Sequence, residues 1–109
     1  MKISFASGRI VWLVCWGPGY EYLYSQSGIL DGQWHNITCR RKGQTLSVLT
    51  DGIVRDTKTH PDYANTLFGP SWGPKALGQV YTGVESWPFA MSDFRVYKRA
   101  LSDNEIAVL

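Results

Sequence analysis

A chain of 109 residues, 44% hydrophobic and 18% charged, carries enough apolar material for one folded domain and excludes a disordered composition. A formal net charge of +2 is too mild to argue for nucleic-acid binding, which needs clustered cations, and no nucleic-acid partner is expected. The apolar run from Ile10 to Trp16 is too short to cross a bilayer as a helix, so no membrane insertion is expected.

Period-two patterning dominates from the start. Ile3 and Phe5 alternate with Lys2, Ser4 and Ala6, and Ser7-Gly8 reads as a turn. The run Ile10 to Trp16, bounded by Gly8 and by Gly17-Pro18-Gly19, is expected to be a strand buried on both faces. Tyr20, Tyr22 and Tyr24 share one face of the next strand, with Glu21 and Leu23 on the other, and the tyrosines are read as packing against a neighbouring sheet.

The segment DGQWHNITCRRKGQTLSVLTDGIVRDT gives the clearest signal. Ile37 and Cys39 alternate with Asn36 and Thr38, and alternation resumes from Leu46 to Leu49. Asp51-Gly52 suits a two-residue hairpin, and a third strand returns from Ile53 to Thr57, which makes a meander. Arg40, Arg41 and Lys42 are expected at a solvated hairpin tip. His60 to Gly83 reads as a long connection with one short strand at Ala76 to Tyr81, and Met91 to Tyr97 as the final strand. Ser102 with Glu105 three residues later forms a capping box that opens a short helix.

Trp34-His35, Asp51-Gly52, Asp93-Phe94-Arg95-Val96-Tyr97 and Ala100-Leu101-Ser102 with Glu105-Ile106 stand in an order that resembles the laminin G-like domains of the concanavalin A-like lectin/glucanase superfamily. The resemblance covers roughly residues 31–109 and is weak upstream. It implies a single all-β domain, an antiparallel β-sandwich of the jelly-roll type with a short C-terminal helical turn, abbreviated at its N-terminus. Phe89 stands where the family usually carries Gly.

Catalysis is not expected. Gly69 to Gly73 matches Gly-x-Ser-x-Gly around Ser71, but Pro70 and Pro74 flank it and no His follows His60. No closely spaced carboxylate pair lies on a strand, as glycosidic cleavage would require. Cys15 and Cys39 show no zinc spacing, and whether they bond to each other stays open. Asp31, Asp62 and Asn65 lie in loops, where relatives that bind calcium place oxygen ligands, yet no metal and no cofactor is expected. His35 is read as a structural strand residue.

Five Trp and six Tyr exceed the needs of a small core and point to sugar or partner contacts. Trp72 and Trp87 are the candidate stacking platforms, with Tyr63 and Tyr81 beside them in sequence and Asn65 and Gln79 as amide donors and acceptors. MKISFASG has no export-signal pattern. A module of an extracellular type that starts at its own Met is therefore expected on a virion, as a capsid decoration or a tail or fibre adhesion subunit. It would self-associate or dock into the larger assembly through an edge that its short N-terminus leaves open, with a surface glycan as a further partner. The alternative is a soluble or secreted lectin-like module, or part of a larger extracellular protein.

Overall fold

Ser7-Gly8 and Asp51-Gly52 hold positive φ at both residues, 52° and 75° in the first pair and 52° and 78° in the second. Two consecutive left-handed residues give a turn whose twist matches that of the flanking strands, so each dipeptide closes a tight hairpin. In the computed structural model, which describes residues 2–16, 19–65 and 90–109, the first turn joins β1 (Lys2–Ala6) to β2 (Arg9–Trp16), and β3 (Gly19–Tyr24) returns along β2. The second joins β5 (Thr45–Thr50) to β6 (Ile53–Thr59), with β4 (Ile37–Lys42) on the other side of β5. Each triplet is an antiparallel meander, in order β1-β2-β3 and β4-β5-β6.

The sheets pack face to face. Trp12, Val14 and Leu23 from the first meet Leu46 and Val48 from the second, with half-buried Ile3 and Cys39 against them. Tyr63, on the 3-10 turn Pro61–Asn65, completes the cluster. A bulge in β6 adds a polar tie between the sheets. Val48 pairs with Asp56 but Leu49 with Val54, which leaves Arg55 as the extra residue and turns Asp56 to the inner face. There the Asp56 carboxylate accepts the Tyr24 backbone N–H at 3.0 Å, on the side of β3 that has no strand partner among the described residues.

The chain closes on the back of the second sheet. Leu101 and Ile106 bury Leu49 beneath α1 (Asp103–Ala107). Ser102 caps this helix as the sequence predicts: its Oγ accepts the Glu105 N–H at 3.2 Å, and the Glu105 carboxylate accepts the Ser102 N–H at 2.8 Å. Arg99 forks onto the same carboxylate at 2.6 and 2.9 Å. Together the arginine and the cap lower the Glu105 pKa to about 2. Ser102→Ala should cost about 1 kcal/mol and lower the melting temperature by about 5 °C, with Ser102→Thr close to wild type; calorimetry on the two variants checks this.

Three expectations change. Arg40 and Arg41 belong to β4 rather than to a solvated tip, because the turn falls at Gly43-Gln44. Arg40 donates to the Leu101 carbonyl at 3.0 Å and pairs with Asp103 at 2.6 Å, and Arg41 donates to the Tyr63 carbonyl at 3.1 Å. These cations fasten the C-terminal helix and the 3-10 turn to the sheet. Met91 to Tyr97 forms no strand, and among the described residues nothing pairs with it. Asp93 sits at φ 54°, which interrupts an extended backbone, and Arg95 doubles back onto the Asp93 carboxylate at 2.7 and 2.8 Å. The strand expected at Ala76 to Tyr81, like Phe89, lies outside the described residues. The third change concerns the tyrosines.

Candidate functional site

Strand alternation divides the first sheet into two unlike faces. Ile3, Trp12, Val14 and Leu23 point inward to the core. Ser4, Val11 and Tyr24 stand in one cross-strand row on the outer face, Lys2, Leu13 and Tyr22 in the next, and Cys15 and Tyr20 in a third. Sequence pattern places the tyrosines beneath a neighbouring sheet. Instead Tyr20, Tyr22 and Tyr24 are 66%, 41% and 37% exposed, because the second sheet occupies the opposite face. The double burial expected of β2 holds at Val11, whereas Cys15 on the same face is exposed.

The tyrosine rings form a ladder. Tyr20 meets Tyr22 edge-on at a centroid distance of 5.6 Å, and Tyr22 stacks on Tyr24 at 6.5 Å. Arg9 lies over the Tyr24 ring, its guanidinium carbon 5.4 Å from the centroid. Tyr22 and Tyr24 line a groove of about 440 Å³ with Ser4, Ala6, Ser7, Arg9 and Val11. The row is held on paired strands over a packed core, so its geometry is set before any ligand arrives. Aromatic faces, hydroxyls and one cation at this spacing suit a ring with an apolar face and a polar rim.

The residues singled out from sequence distribute differently. Tyr63 is 2% exposed and belongs to the core, where its hydroxyl donates to the Glu21 carboxylate at 2.9 Å. Burial first, and then that hydrogen bond, push its phenol up to about 12; no face of its ring is open to a sugar. Asn65 ends the 3-10 turn, and Trp72, Gln79, Tyr81 and Trp87 lie outside the described residues. Trp34, not singled out for binding, is 72% exposed and backs a shallow concavity with Gly32, Gln33 and Ala90.

His35 is a clamp. Its Nδ1 lies 2.7 Å from Asp51 Oδ2 and its Nε2 lies 2.9 Å from Asp31 Oδ1, so both ring nitrogens face carboxylates and both donate when the ring is protonated. Asp51 also accepts the Asn36 N–H at 2.8 Å, which pins the segment before β4 to the Asp51-Gly52 turn. The two carboxylates, Asp51 first, raise the His35 pKa above 6.5, and both acids lie below 3.8. A raised histidine contributes stability that is complete below its unfolded pKa and lost as pH rises through its folded one. The depressed acids contribute above their ordinary pKa and lose it as pH falls through their folded values. Melting temperature should therefore be highest between about pH 4 and 6.5 and decline above it. His35→Asn should abolish the alkaline-side decline; an unchanged profile in that variant contradicts the clamp.

No described group of three or more His, Cys, Asp or Glu could hold a metal ion. The cysteines are free: Cys15 sits on the outer face of the first sheet, while burial raises the Cys39 thiol to about 12 in the second. Among the described residues no helix is long and apolar enough to cross a membrane.

A laminin G family model of the concanavalin A-like lectin/glucanases superfamily matches residues 2–107. The chain belongs to this superfamily. The match includes the first meander, where the sequence resemblance was weakest, and the two packed antiparallel sheets agree with the superfamily sandwich. Among solved structures, the laminin G-like chain resembles an S-layer domain-containing protein of Clostridium thermocellum (residues 221–444) with a TM-score of 0.59 and 22% identity. The alignment covers 93% of this chain and 51% of that one, so the laminin G-like domain spans about half its length. At that identity the likeness carries the fold alone.

Proposed function

We propose that this laminin G-like domain is a non-catalytic carbohydrate-binding module and that the tyrosine ladder of the first sheet is its sugar platform. The observation that carries the reading is the exposure of three aligned aromatic rings on the outer face of a sheet whose inner face is closed core. An aromatic row that neither fills the core nor supports a neighbour has a ligand as its best use.

Among the described residues the carboxylates support a binding role over a hydrolytic one. Asp31 and Asp51 serve His35, Asp62 faces His60, Glu21 serves Tyr63, Asp56 holds the Tyr24 amide, and Asp93, Asp103 and Glu105 pair with Arg95, Arg40 and Arg99. Cleavage would need two carboxyl groups free to face a sugar from opposite sides. An extracellular or cell-surface setting accords with the superfamily and with a structural relative that is an S-layer domain-containing protein.

Migration through native gels cast with individual polysaccharides tests the reading. Retardation by at least one of them, with none by a gel lacking polysaccharide, is the expected result. Unretarded migration throughout a broad panel contradicts it.

A second reading, a subunit of a larger assembly such as a virion surface, draws on the sheet edges: among the described residues β1 and β6 each have a single strand partner. Light scattering across a range of concentrations separates the two, since a monomer at every concentration contradicts self-assembly and leaves sugar binding intact.

A further inference from the structure

We propose that the groove beside Arg9 selects sugars that carry an anionic group, a carboxylate or a sulfate, over their neutral counterparts; this rests on the sugar-binding reading above. Arg40, Arg95 and Arg99 are each neutralised by a carboxylate within the chain. Arg9 differs. Among the described residues no carboxylate lies within ion-pair distance of it, and its buried Nε makes no hydrogen bond. Its one described side-chain partner is the Tyr24 ring, whose centroid lies 5.4 Å from the guanidinium carbon, a cation–π contact that uses none of its N–H donors in a hydrogen bond.

A guanidinium placed over a tyrosine ring at the groove wall is positioned before binding, and its planar fork matches the oxygens of a carboxylate or sulfate. The positions of the neighbours set the order of contacts. Arg9 and Tyr24 lie on adjacent strands of one face, Tyr22 is the next rung, and Ser4 and Ser7 line the same groove. A pyranose seated against Tyr22 and Tyr24 would bring a ring substituent to Arg9, with the serine hydroxyls available to ring hydroxyls. A neutral sugar would cover the cation without pairing it, and that difference is the source of selection.

The test compares matched probes at constant ionic strength by titration calorimetry: oligogalacturonate against its methyl ester, and dextran sulfate against dextran. The carboxylate and sulfate arms distinguish which anion is taken. At least one anionic probe should bind about tenfold tighter than its neutral partner or more. The preference should weaken with added salt and vanish in Arg9→Gln, whereas Arg9→Lys should keep part of it. Melting curves of both variants ensure that folded protein is compared. Equal binding of charged and neutral probes, or a preference that survives Arg9→Gln, overturns the proposal and leaves the sugar reading standing. No binding of any probe, together with unretarded migration in the polysaccharide gels, overturns both.

Discussion

Trp12→Ala should destabilise the domain by about 3–5 kcal/mol, with a fall in melting temperature on the order of 20 °C. Trp12 is 1% exposed, stands at the centre of β2 and packs among Val14, Leu23, Leu46, Val48 and Tyr63. Its removal takes apolar surface out of contact with both sheets at once, and rigid strands on either side cannot close over the space. Trp12→Phe should retain most of the stability because a ring still spans the gap. Urea unfolding of the three proteins measures this. A loss below about 1 kcal/mol in the alanine variant would mean that the sheets do not depend on this contact.

Tyr22→Ala combined with Tyr24→Ala should do the reverse. Both rings lie on the outer face with 41% and 37% exposure, so melting should change little. Affinity for a polysaccharide that retards the wild type should fall about 100-fold or more, since aromatic anchors at the centre of a contact commonly cost about 2 kcal/mol each when truncated. A conservative pair of Phe substitutions should keep the stacking and lose only hydroxyl contacts. If the double alanine variant binds as the wild type does, the ladder is not the platform. Trp12 and the tyrosines thus separate stability from binding across one sheet.

Much of the fold is legible in the sequence because its signals are local. Ser7-Gly8 and Asp51-Gly52 announce hairpins through their tolerance of positive φ, and alternation on either side of them gives the strands. Ser102 and Glu105 announce the helix start in the same way. Alternation, however, tells which residues share a face and not which face meets the other sheet. It therefore groups Tyr20, Tyr22 and Tyr24 correctly and places them on the wrong side. Their exposure follows from long-range packing of Leu23 against the second sheet, for which the tyrosine spacing holds no sign.

Charge misleads for a related reason. Arg40, Arg41 and Lys42 look like a solvated tip because three cations adjoin a Gly, but the partners of the two arginines, Leu101, Asp103 and Tyr63, lie far along the chain. Tyr63 resembles a binding aromatic because it stands in a proline-rich connection; the 3-10 turn that carries it folds back into the core. Asp93 suits a final strand by pattern alone, and its left-handed backbone with the Arg95 fork breaks that strand. Arg9 draws no notice in the sequence, since nothing local marks a cation that lies over a ring fifteen residues away.

The central claim is that the outer face of the first sheet binds sugar. An NMR titration of isotope-labelled protein with a polysaccharide fragment that retards it in native gels tests this most directly. Shifts concentrated on the Tyr20, Tyr22 and Tyr24 rings, with Ser4, Ser7 and Arg9, and none at Trp34 or at the core residues, are the expected result. Saturable shifts that leave those rings untouched and gather elsewhere on the domain would contradict the claim.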